Sequence, residues 1–294
     1  MEGTVAAAFG RHFEVRTAMG VMRCHTRGRK NAYACGDKVE IAPAGVGLGV
    51  IETLLPRRNL LWRSDAFRQK LIAANLSRIV IVVAPEPRFS SLLVSRCLAA
   101  AESENISALI VLNKVDLAAG LPVARERLQI FAALGYPVLE LSALTDMDAL
   151  VPWLHGERAI FVGQSGMGKS TLINALVPEA SAATAEISGA LGSGRHTTTF
   201  SRLYPRVGDG WLIDSPGLQA FGLAHLDALA LEAAFIEFRP HLGKCRFRDC
   251  RHAAEPGCEL RAAVDAGIID ARRFEHFRII RAEITAARRA NPGW

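Results

Sequence analysis

Near the N-terminus the apolar positions fall into short runs, TVAAAF, HFEVRTA, VMRCHT, GDKVEIA and GVIETLL, separated by turn formers. Alternation with a period of two buries one face of a strand, so residues 1–65 are expected to form a small all-β barrel. The period does not choose the barrel type: an oligonucleotide-binding (OB) barrel and an unspecialised β domain both fit. Around WRSDAFRQK, 62–70, the pattern turns polar and charged, as in a linker.

Over residues 71–222 the pattern changes to continuous apolar runs, RIVIVVA, ALIVLNK, PVLELSA and RAIFVG, alternating with stretches of helical period. Runs of that kind predict strands covered on both faces, joined by crossover helices into a largely parallel α/β sheet. TTFSRLYP and GWLIDSPG flank a glycine-containing turn and predict a hairpin at one edge of that sheet. Residues 223–294 read as helical and arginine-rich, interrupted by a cysteine cluster. Phe274, Phe277, Ile280 and Ile284 recur at helical spacing and predict a packing face. Arg272, Arg273, Arg281, Arg288 and Arg289 suit either RNA phosphates or solvent.

The chain has 294 residues, more than one core normally supports, so several domains are expected. With 50% apolar and 22% charged residues, the composition fits globular folding and argues against extensive disorder. No apolar run approaches the roughly 20 residues of a membrane span. The first apolar run is broken by Arg11 and His12, unlike a secretory leader, so a cytosolic protein without a membrane partner is expected. The net charge is +6, and only six of the 35 cations are lysine. Arginine forks suit phosphates, although a solvated basic surface fits equally.

Gly163-Gln164-Ser165-Gly166-Met167-Gly168-Lys169-Ser170 fits GxxxxGK[ST], between the strand RAIFV and a helix that continues through Thr171. Inward-turned amides and a helix N-terminus would cradle phosphate, Lys169 would bridge the β- and γ-phosphates, and the Ser170 hydroxyl would ligate magnesium. Asn113-Lys114-Val115-Asp116 follows the strand ALIVL. The Asp116 carboxylate matches the two donors on the guanine edge and would repel adenine, which disfavours an ATPase. Ser142-Ala143 fits the short element that contacts guanine O6. Asp214-Ser215-Pro216-Gly217 has the form DxPG: Asp214 would hold a magnesium-bound water and the Gly217 amide would sense the γ-phosphate. Between these lies ISGALGSGRHTTT, where Thr198 is the expected second hydroxyl ligand of magnesium. Leu218 occupies the position where many GTPases carry a water-orienting glutamine, leaving His196 as a candidate.

Of six cysteines, Cys24, Cys35 and Cys97 are scattered, whereas Cys245, Cys250 and Cys258 crowd together with His252. Four ligands in one short segment predict a closed, structural Cys₃His zinc site.

In the order NKVD, SA, GQSGMGKS, GRHTTT, DSPG and CRFRDCRHAAEPGC, the chain resembles over essentially its whole length the RsgA (YjeQ) family of circularly permuted, small-ribosomal-subunit-dependent GTPases. The resemblance implies an N-terminal OB-fold barrel, a central permuted P-loop GTPase domain and a C-terminal helical zinc domain. It implies GTP hydrolysis stimulated by the small subunit and its rRNA during late maturation, with His196 as catalytic residue. One zinc, magnesium with GTP, and a monomer are expected. A GTP-sensing RNA-binding module with incidental hydrolysis is the rival reading.

Overall fold

In the computed structural model, which describes residues 1–10, 12–27, 33–64, 69–177, 201–205, 210–215 and 221–290, the alternating runs become five strands. They are β1 (Glu2–Phe9), β2 (His12–Thr17), β3 (Gly20–Thr26), β4 (Lys38–Gly45) and β5 (Leu48–Leu54). Their order is β1-β2-β3-β5-β4, closed by β1 against β4, with β3 and β5 parallel. This is the OB-fold barrel. Alternate residues, Phe13 with Val15, Met22 with Cys24 and Val39 with Ile41, fill its core.

The expected linker is instead a hairpin: β6 (Leu60–Ser64) pairs antiparallel with β7 (Gln69–Ala74). Leu61, Ile72 and Ala73 are buried in the central core, and that burial outweighs the polar residues between the strands. The hairpin also grips later chain. Ser64 N–H donates to Gly222 O at 3.0 Å, and the Ser64 hydroxyl sits 2.8 Å from His225 Nδ1. Trp62 packs on the His225 ring at 4.2 Å between centroids. Burial lowers the His225 imidazole to about 4, so it is neutral near pH 7.

The central sheet contains β8 (Arg78–Val83), β9 (Ser107–Leu112), β10 (Val138–Glu140), β11 (Arg158–Val162), β12 (Arg202–Pro205) and β13 (Trp211–Asp214). The order is β10-β9-β8-β11-β13-β12, and only β12 runs antiparallel. Its helices are α1 (Ser91–Ser103), α2 (Leu121–Ala132), the short α3 (Val151–Leu154) and α4 (Lys169–Leu176). Ile79 to Val83 are all buried, as a strand covered on both faces requires. The β12–β13 hairpin forms as expected but does not end the sheet. Ala7 of β1 pairs with Arg202 of β12, and Arg202 meets Glu14 at 2.6 Å, so the barrel and the central sheet share one ladder.

The C-terminal region carries α5 (Ala228–Ala234), α6 (Glu259–Asp265) and α7 (Ala271–Ala290). Phe277, Ile280 and Ile284 are buried and Phe274 packs against the same core, as their spacing predicts. Phe277 meets Phe238 and Phe235 at 5.0 and 5.5 Å between ring centroids. Arg273 departs from the expectation of a phosphate- or solvent-facing arginine. Its side chain is 1% exposed, and its guanidinium lies 2.6 Å from Glu237 and 4.3 Å over the Phe235 ring. It also donates to Ser95 Oγ at 2.7 Å, docking α7 on α1. Arg96 and Glu283 join the same two helices through a bidentate pair, both contacts 2.6 Å. Arg281 and Arg288 likewise turn inward, donating to the Arg251 and Leu226 carbonyls, whereas Arg272 and Arg289 are exposed. Among the described residues no helix is long and apolar enough to cross a membrane.

Candidate functional site

β11 runs into the glycine-rich stretch, and α4 begins at Lys169. Gly163 and Gly168 have φ of 149° and 90°, and a Cβ on either would lie 2.3 Å from its neighbour, Val82 O or Asn113 Nδ2. Only glycine allows that approach. Lys169 is buried, and its Nζ donates to Gly163 O at 2.9 Å and Gln164 O at 2.8 Å. Burial lowers its pKa, and the Asp214 carboxylate at the end of β13 opposes that shift. Ser165 and Gly166 are exposed, Ser170 is half-buried and Thr171 is exposed, while Met167 is buried in the core.

Asn113, at the end of β9, joins three loops. Its Nδ2 donates to Met167 O at 2.9 Å, and its Oδ1 accepts the Ala143 N–H at 3.0 Å. Lys114, with φ of 62°, donates to Gly166 O at 2.6 Å and Glu86 O at 3.1 Å, laying its stem across the phosphate loop. Asp116 is exposed, and Ser142 is buried beside Ala143. From the other side Ser215 Oγ donates to Phe161 O at 2.6 Å, tying the start of DSPG to β11. Four elements scattered along the chain thus converge at the carboxyl ends of parallel strands on either side of β8, where open α/β sheets bind ligands. His196, Thr198 and Gly217 lie outside the described residues.

One supporting contact has no signature in the sequence. Gln164 Oε1 accepts the Ser90 N–H at 2.7 Å, and Ser90 caps α1 by accepting the Leu93 N–H at 3.2 Å. The phosphate loop is therefore bonded to the N-cap residue of α1. Only the adjacency of β8 and β11 in the sheet brings these residues together.

In the C-terminal region Cys245, Cys250, His252 and Cys258 place their ligand atoms within 4.8 Å of one another. Two backbone amides point at the sulfurs, His252 N–H at Cys250 (3.4 Å) and Glu259 N–H at Cys245 (3.3 Å). Burial and the neighbouring thiols raise the Cys250 pKa, a shift that a bound cation would offset. The donor set therefore fits a structural metal ion. His252 turns Nδ1 toward the sulfurs and Nε2 toward Glu232, 3.2 Å away, a carboxylate that fixes the orientation of the ring. Glu232 has no spacing relation to the cluster, and sequence reasoning missed it. Glu232→Ala should weaken metal retention by about 10–100-fold, read by competition with a chromogenic chelator. Unchanged retention would remove the carboxylate from the site.

A family model described as RsgA GTPase matches residues 54–224. The small ribosomal subunit biogenesis GTPase RsgA of Nitrosomonas europaea is 53% identical over 279 residues, covering 93% of this chain and 88% of the relative. The protein of the same name from Bordetella pertussis is 53% identical over 293 residues, with 98% and 97% coverage. Among solved structures, YjeQ from Thermotoga maritima superposes with a TM-score of 0.72 at 29% identity, covering 97% of this chain and 98% of its own. YloQ, described as a circularly permuted GTPase, gives 0.68 at 26% identity, with 100% and 96% coverage. With the cradle, the permuted motif order and the Cys₃His cluster all present on one chain, the protein belongs to the RsgA GTPase family.

Proposed function

We propose that this protein hydrolyses GTP to GDP and phosphate when stimulated by the small ribosomal subunit, late in that subunit's maturation, and that hydrolysis times its release. The observation that carries the nucleotide half is Asn113, one side chain bonded to both the phosphate loop and the Ala143 amide, which puts guanine reading and phosphate binding in register. The ribosomal half rests on the names of its relatives.

In this reading Asp116 reads the guanine edge, Lys114 lies along the base, and the amides of Gly163 to Ser170 with the Lys169 ammonium hold the phosphates. Ser170, Thr198 and Asp214 would hold magnesium, directly or through water, and the ion would supply positive charge against the negative charge of the phosphates. Gly217 senses the γ-phosphate, and His196 orients the attacking water in place of the glutamine that Leu218 displaces. Residues 1–65 act as an RNA-binding barrel, 71–222 as the GTPase unit and 223–294 as a zinc-bearing helical unit, in a cytoplasmic monomer.

The test is GTP turnover by the wild type and by His196→Ala, each with and without purified small subunits. The wild type should be stimulated, and the variant should lose about 10²-fold of the stimulated rate. Absence of stimulation in the wild type would leave a GTP-sensing RNA-binding module.

A further inference from the structure

We propose that the tip of the metal-braced loop, Lys244 to Arg251, is a stacking site for an unpaired RNA base, with Phe247 as its platform. The proposal deepens the small-subunit reading above and rests on it. Phe247 is 43% exposed, whereas Phe235, Phe238 and Phe277 close by in the chain are fully buried, so packing does not claim this ring. Arg246 holds its guanidinium 5.5 Å from the ring centroid. Lys244, Arg246, Arg248 and Arg251 are exposed, and among the described residues none has a carboxylate at ion-pair distance. Their side chains contrast with Arg272, Arg273, Arg278 and Arg281 of α7, each of which faces an acid. The one acid in the tip is Asp249.

The loop is stiff as well as basic. Arg246 N–H donates to Gly257 O at 3.0 Å and Cys250 N–H to Phe247 O at 3.3 Å. Gly257, at φ 73°, leaves 2.9 Å between a would-be Cβ and the Arg246 Cβ, so the crossing of these strands of loop admits only glycine. A ring presented on a fixed backbone loses little freedom when a base stacks on it. Beside Arg251 a groove of about 510 Å³ follows α7 to the exposed Arg289, past the Arg278–Glu275 pair, a path for the adjoining phosphates. A lone aromatic face among unpaired cations suits a single strand with a splayed base; a duplex offers no free base face.

The test uses the full metal-loaded chain with a labelled single-stranded oligoribonucleotide, a duplex of equal length, and intact small subunits. Phe247→Ala should weaken single-strand binding about tenfold, and Phe247→Trp should retain it. Arg248→Ala should instead flatten the slope of log K against log salt by about 0.7, a slope that Phe247→Ala leaves alone. Metal content and melting temperature, unchanged in each variant, show that the loop is intact. The proposal is overturned if Phe247→Ala binds the single strand within about twofold of the wild type, or loses duplex binding equally. It is also overturned if the variant loses small subunits but not the oligonucleotide, which would make a protein the partner. A wild type that ignores small subunits defeats the functional reading instead, and the oligonucleotide comparison still decides the stacking.

Discussion

Asp116→Asn should reverse the nucleotide preference from GTP toward xanthosine triphosphate. The 2-amino group loses a charge-assisted acceptor worth about 1.5–3 kcal/mol and meets an amide donor instead, so GTP should bind at least about 10–10²-fold more weakly. Xanthine replaces the 2-amino donor with a carbonyl, and the asparagine amide supplies the matching donor while its oxygen still accepts N1–H. The substitution leaves the scaffold alone: Asp116 is exposed, and the loop is held through Asn113 and Lys114 rather than through this carboxylate. Competition between the two nucleotides for wild type and variant is the measurement, and a variant that still prefers GTP would remove Asp116 from guanine recognition.

Arg273→Ala should release α7 from the GTPase domain. Truncation strands Glu237, itself buried, without its cation, and breaking a buried pair in this way costs about 3–5 kcal/mol. It also removes the hydrogen bond to Ser95 and the stacking on Phe235. Because the barrel has a core of its own beside the one that α7 and β8 share, a single melting temperature is a poor readout, and amide exchange along α7 against that of β8 is the sharper one. Exchange in α7 should accelerate while β8 stays protected. Replacing both partners by methionine should recover most of the loss, since an apolar pair of similar volume needs no ion partner. Unaltered exchange in the single variant would mean that α7 is held without this arginine.

The nucleotide motifs were legible because each encodes its own backbone: glycines where the chain must approach a carbonyl or Asn113, and a lysine at the first residue of a helix. The cysteine cluster was legible because its ligands are close in sequence. Glu232 and the Gln164–Ser90 bond were not, since each depends on which elements become neighbours in space. Arg273 is a different kind of miss. It precedes Phe277 by four residues and Ile280 by seven, and the buried set of α7 runs Arg273, Phe277, Ile280, Ile284, Ala287. Its place in the helical period marks it as buried, whereas its charge alone points to phosphate or solvent. The hairpin of β6 and β7 escaped notice because the polar residues between two short strands dominated the local composition, and the joining of β1 to β12 is a long-range pairing that no local pattern announces.

That hairpin also explains how a rearranged GTPase domain keeps its shape. Moving the chain ends to new places should leave two raw seams, one where the domain now starts and one where it now stops. Here β7 feeds straight into β8, while Ser64 of β6 takes hold of Gly222 and His225 just past DSPG. Both seams are thus held at one place, and loosening Ser64 would loosen the chain before β8 and the chain after DSPG alike.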